Sequence, residues 1–153
     1  EGLRSVAYSG DETRIVTASA DGTARIWDST SGAERAVLRG RRGAIESAAF
    51  SPDGSRVATA SADGVRIWDA ERARTVLILR AEDLLSVAFS PDGARVAAGG
   101  RGGAVGLWDA ASGRAIARFP VRGVVVSLAF SADGSRLAAA ESPGEGAPGP
   151  HTL

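Results

Sequence analysis

The sequence has no cysteine, no methionine and no lysine among its 153 residues. Without cysteine there is no disulfide framework and no thiolate metal site, which fits a reducing, cytoplasmic compartment. All 18 basic residues are arginine, and alanine and glycine abound, the bias of a GC-rich bacterial gene. A chain without methionine that opens at Glu1, already inside a repeat, is expected to be a piece of a longer protein. Charge of neither sign is in excess, because 18 acidic residues balance the arginines. A neutral chain has no global attraction to nucleic acid or to an anionic membrane, and neither is expected as a partner. No apolar run approaches the roughly 20 residues of a membrane helix, and no charged-then-apolar signal segment opens the chain. Histidine is nearly absent too. His151 lies two residues from the end, with nothing near it in sequence to hold catalytic or metal-binding partners, and reads as a solvated bystander. Ser-His-Asp chemistry is thereby excluded within this stretch.

What the sequence has is repetition. Ala49 to Asp69 reads AFSPDGSRVATASADGVRIWD, and most of it recurs three more times. The copies open on Tyr8, Phe50, Phe89 and Phe130, at spacings of 42, 39 and 41. The closing Trp-Asp appears at Trp27, Trp68 and Trp108, at spacings of 41 and 40. Seven of the eight aromatic residues occupy these two positions, Phe119 being the exception, so the aromatics serve the repeat and no particular site.

Within each unit, short β-rich runs are bounded by turn residues. In Ser-Pro-Asp-Gly, proline pre-sets φ, aspartate hydrogen-bonds the backbone and glycine takes the left-handed conformation. Asp53-Gly54 and Asp92-Gly93 therefore close hairpins between the first and second runs, and Asp21-Gly22 and Asp63-Gly64 between the second and third. The first unit predicts strands over Leu3–Tyr8, Arg14–Ser19, Thr23–Trp27 and Glu34–Leu38. The second predicts Ile45–Phe50, Arg56–Ala60, Val65–Trp68 and Arg74–Leu79. The third predicts Leu84–Phe89, Arg95–Gly99, Ala104–Trp108 and Arg114–Phe119. The fourth supplies only Val124–Phe130 and Arg136–Ala140. Four runs per 40 residues describe four-stranded antiparallel units, and no long window shows helical periodicity. From Glu141 to Leu153 (ESPGEGAPGPHTL) the apolar pattern stops, which predicts a disordered or extended tail.

The ordered series FSPDG, SADG and RIWD at a fixed period resembles the WD40-repeat family of β-propellers, over about residues 3–140. The resemblance implies an all-β fold of three four-stranded blades, over about 3–39, 45–79 and 84–119, plus half a blade over 124–140. It implies that the first strand of each blade lines a central channel. It also implies a relay of Trp, Ser or Thr, His and Asp within each blade. By position Trp27, Ser19 and Asp21 match three of its four members, as do Trp68, Ser61 and Asp63. The sequence departs from that pattern in two ways. The relay His normally follows a Gly before the next blade, yet Arg41 follows Gly40, and the linkers Leu79–Asp83 and Pro120–Val124 hold no Gly-His. Gly100 and Gly102 stand where the third unit needs Ser and Asp. The third blade is thus expected to be the least rigid. Propellers close with about four to eight blades. An open face of roughly 500 Å² forfeits about 12 kcal/mol at 25 cal/mol per Å², so the remaining blades of a parent propeller are expected as partners.

No residue reads as catalytic, cofactor-binding or metal-ligating. The turn aspartates each have a role that their counterparts repeat, and GGRGG at 99–103 lacks the helix and Lys-Ser/Thr of a phosphate loop. In the family, the loops that join blades share one side of the disc with the turns between second and third strands. Arg41, Arg42, Glu82, Asp83, Arg101 and Arg122 would then share a rim. They read either as solvated charge or as a docking surface for a protein or peptide, and their mixed signs argue against a nucleic-acid groove. The resemblance implies a non-catalytic protein–protein interaction scaffold. Alternatives are the scaffold part of an enzyme or signalling protein, for example a kinase or NTPase with catalytic residues elsewhere, and a purely structural array.

Overall fold

The computed structural model describes residues 2–142 and contains only strands and turns among them. The first sheet is β1 (Leu3–Tyr8), β2 (Arg14–Ser19), β3 (Thr23–Asp28) and β4 (Glu34–Arg39). The second is β5 (Ile45–Phe50), β6 (Arg56–Ser61), β7 (Gly64–Asp69) and β8 (Arg74–Leu79). The third is β9 (Leu84–Phe89), β10 (Arg95–Gly100), β11 (Ala104–Asp109) and β12 (Ala115–Pro120). A two-stranded sheet follows, β13 (Val124–Phe130) and β14 (Leu137–Ser142). Each sheet is a meander of antiparallel neighbours in chain order. This is the architecture the repeat predicts: three complete blades and half of a fourth. Strand ends agree with the sequence reading to within one residue except at β14, which takes in Glu141 and Ser142 from the stretch read as tail. The rest of that stretch, with His151, lies outside the described residues.

The Asp-Gly turns explain the hairpins. Gly54, Gly93 and Gly134 sit at φ of 69°, 70° and 69°, where a side chain is strained. In the second unit Ser51 Oγ donates to Asp53 at 2.6 Å and accepts from Arg56 N–H at 3.0 Å, while Gly54 N–H closes the turn on Ser51 O at 2.8 Å. Asp28, Asp69 and Asp109, the aspartates of Trp-Asp, accept backbone N–H groups from the turns after β3, β7 and β11.

The blades stack side by side, each first strand packed on the next one. Three apolar clusters result, one per junction. In the first, Val16, Ile26 and Leu38 of one blade meet Phe50, Val57 and Trp68 of the next. In the second, Ala60, Ile67 and Leu79 meet Val96 and Trp108. The third joins Val105 and Leu107 to Val125 and Leu128. Each blade thus offers small and aliphatic residues on one face and its aromatic pair on the other.

Polar bonds reinforce the same junctions. The hydroxyl of Ser5 accepts Ala48 N–H at 3.0 Å, Ser47 accepts Val87 N–H at 3.4 Å and Ser86 accepts Leu128 N–H at 3.0 Å. Arg14 stacks over Phe50 at 5.3 Å and donates to Gly54 O at 2.9 Å. Arg95 repeats this on Phe130 at 5.7 Å and Gly134 O at 2.9 Å. The middle junction departs, since Arg56 donates instead to Ala110 O at 2.8 Å.

Candidate functional site

The loops that join blades lie beside the turns between second and third strands, tied by backbone hydrogen bonds. Gly40 N–H donates to Gly22 O at 2.9 Å and Val121 N–H to Gly103 O at 3.0 Å. Asp83 spans two blades: its N–H reaches Ala62 O at 3.2 Å, and its carbonyl accepts Arg101 N–H at 2.9 Å. Asp83 holds φ at 51° to do so. Its carbonyl passes so near Gly100 that a Cβ there would lie 1.9 Å away, so a serine at this position would displace the loop. The structure therefore brings Glu82, Asp83 and Arg101 onto one continuous edge, with Arg41 and Arg42 on the preceding blade junction and Arg122 on the following one. All six are exposed. None forms a side-chain hydrogen bond or ion pair among the described residues, whereas Arg4, Arg25, Arg35, Arg66, Arg72 and Arg95 all pair with acids. Four arginines against two acids leave this rim at +2.

The relay residues fall differently from the sequence reading. Trp27 donates its indole N–H to Thr17 Oγ1 and Trp68 to Thr59 Oγ1, each at 2.9 Å. The acceptor is thus the threonine two residues before Ser19 and Ser61. Those serines belong to the turns instead: Ser61 donates to Asp63 at 2.7 Å, and Ser19 Oγ accepts Asp21 N–H at 3.2 Å. Cross-strand register explains this, because Thr59 faces Arg66 while Val57 faces Trp68, so the indole reaches its acceptor on the diagonal. The signal was present in RIVTAS and RVATAS, and absent from RVAAGG, where Ala98 replaces the threonine. The junction serines and Arg14 and Arg95 were missed too, although a Ser recurs in every first run and an Arg opens every second run.

The opposite edge carries the strand-one turns. Asp11 and Asp133 are lowered to about 2, chiefly by the hydroxyls of Ser9 and Ser131 and then by turn N–H groups. Asp28 is held well below the ordinary carboxylate range by Ser31 N–H and the Arg35 guanidinium. Clefts of about 280 and 670 Å³ open between blades on this side, lined by charged side chains already bonded within the fold, such as Asp53, Arg56, Arg14 and Asp69. Among the described residues no group of three or more His, Cys, Asp or Glu is arranged to hold a metal ion. The central first strands present Ile45, Leu84 and Val125, all buried and apolar.

The repeats can now be set against known families. The sequence matches the family described as WD40, WD domain, G-beta repeat, over residues 1–28, 32–69 and 74–109. The chain belongs to the WD40-repeat family. Each matched segment ends on a Trp-Asp, and the three closings are the ends of β3, β7 and β11. No curated protein matches the chain. WD40 repeats generally mediate protein–protein interaction and typically act as non-catalytic scaffolds. None of the described elements is a helix long and apolar enough to cross a membrane.

Proposed function

We infer that this WD40 segment is a non-catalytic docking platform, a part of a larger propeller, whose loop rim holds a protein or peptide. The observation that carries this reading is the gathering of six exposed charges, net +2, on one edge. Arg41, Arg42, Glu82, Asp83, Arg101 and Arg122 stand exposed without side-chain partners among the described residues, on loops tied by backbone bonds to the turns between second and third strands. Preorganised loops lose little entropy on binding. Arginine anchors on such loops suit a partner with acidic groups, and the two interspersed acids disfavour a polyanion such as nucleic acid or a membrane surface. The first strands hold no His or Asp, and their one acid, Glu46, is paired with Arg4 at 3.5 Å.

A photo-crosslinking residue placed at position 101 or 122 tests this, with position 112 on the opposite edge as control. Partners are expected from the rim positions and to be lost in R41A/R42A. Equal crosslinking from position 112, or undiminished capture by the double variant, would count against the rim.

A further inference from the structure

The third blade carries a void where its siblings carry side chains. In the second blade Thr59, Arg66 and Ile78 form one row across β6, β7 and β8. The Arg66 side chain is only 10% exposed and binds Asp63 at 3.0 Å. The same row in the third blade reads Ala98, Gly106 and Arg118. The places of Ser61 and Asp63 fall to Gly100 and Gly102. A threonine, a serine, an aspartate and an arginine are therefore replaced together, and a cavity of about 410 Å³ remains.

Its buried walls are Leu84, Ala98 and Trp108. The six-membered ring of Trp108 lies across Gly106, where a Cβ would come within 2.1 Å of Cη2. The indole N–H, which in both siblings binds a threonine, has no acceptor among the described residues, although Trp108 is only 8% exposed. That N–H is reached by solvent, so an acceptor bound beside it exchanges a water bond for a direct one. At the mouth stand Arg80, Glu82 and Arg118, exposed and outside every ion pair among the described residues. Two guanidinium groups and an indole N–H thus oppose one carboxylate.

We propose that this cavity binds a flat apolar group bearing a carboxylate. The aromatic face and the alanine, leucine and glycine walls take the apolar part, and Arg118 or Arg80 takes the anion in a charge-assisted pair. The volume lies in the range of small-molecule sites. The site is independent of the rim's partner, because a small probe binds or fails to bind in the isolated chain.

The probe is 2-naphthoate, titrated calorimetrically into the 153-residue chain, with 2-naphthamide as the uncharged control. Saturable one-to-one binding is expected, weakened about tenfold or more for the amide, a loss of about one charge-assisted contact. Ala98→Thr restores the sibling threonine at the buried wall and leaves the space over Gly106 to the Trp108 ring; it is expected to keep the fold and to weaken binding. The double variant R80A/R118A leaves the core untouched and is expected to weaken naphthoate but not naphthamide. No saturable binding to the wild-type chain, or unchanged binding in a folded A98T or in R80A/R118A, overturns the proposal.

Discussion

At the scale of single residues, the indole bond and the turn aspartates carry the clearest consequences. Thr59 lies buried with its hydroxyl bonded to Trp68, which is itself buried in the first junction. Thr59→Val keeps the shape and removes the acceptor, leaving an unpaired buried N–H at a cost of about 1–3 kcal/mol. Chemical denaturation should show that loss, and a change below a few tenths would mean that the bond contributes nothing. The aspartates set the response to acid. Asp11 and Asp133 titrate near 2 in the fold against 3.8 for an unperturbed side chain. A carboxylate with a depressed folded pKa stabilises the fold above its unfolded value, and that contribution disappears as pH falls through the folded value. The melting temperature is therefore expected to hold down to about pH 4 and to fall between about pH 4 and 2. Asp133→Asn should shrink the slope in that window; a flat profile there would contradict the turn assignment.

At the scale of elements, the hairpin after β1 is the irregular one. Glu12 occupies the place held by Gly54, Gly93 and Gly134 in the other units, at a φ of 60°. A side chain costs about 1–2 kcal/mol in this conformation, and glycine gives back roughly 0.5–1 kcal/mol in unfolded-state entropy. Glu12→Gly should therefore stabilise by up to about 1 kcal/mol, read as a rise in melting temperature. A fall would show that the hairpin depends on the glutamate side chain. The same turns explain what was legible from sequence. The five Asp-Gly pairs located ten of the strands' borders and the half blade, because a turn residue acts locally and leaves a local signature. Contacts between blades were not legible. Arg14 needs Phe50 and Gly54, 36 and 40 positions on, and a run of strands does not state which face of one sheet meets the next. The acceptor of Trp68 was misplaced by two residues for a related reason: both Thr59 and Ser61 point to the same face, and only the register distinguishes them. The end of β14 was missed because Glu141 and Ser142 lack the apolar alternation that marks the other strands.

At the scale of the whole molecule, the two ends of the array present the two halves of one junction. Tyr8 is 61% exposed where its counterpart Phe50 is 8% exposed, and Val6 is 66% exposed where Val87 is 5% exposed. Trp27 is half-buried where Trp68 is buried. These belong to the face that, in the second and third blades, a preceding blade covers. At the far end Ser127 and Arg136 are exposed, at the positions from which Ser86 and Arg95 bind the following blade. Ala138 and Ala140 continue the small-residue face beside them. Large exposed apolar faces on a blade are interaction surfaces, and the internal junctions supply their template. In a parent propeller further blades would fill both. In solution copies of the 153-residue chain can cover these faces, so it is expected to associate head to tail as concentration rises through the micromolar range. Sedimentation velocity across that range checks this. Tyr8→Glu places a charge where Phe50 stacks under Arg14, and Ser127→Arg blocks the opposite half; either variant should sediment as a monomer while keeping its β-rich circular dichroism. A wild-type chain that remains monomeric throughout would mean that half a blade is too narrow to cover Trp27, and that a junction requires third and fourth strands as well as first and second.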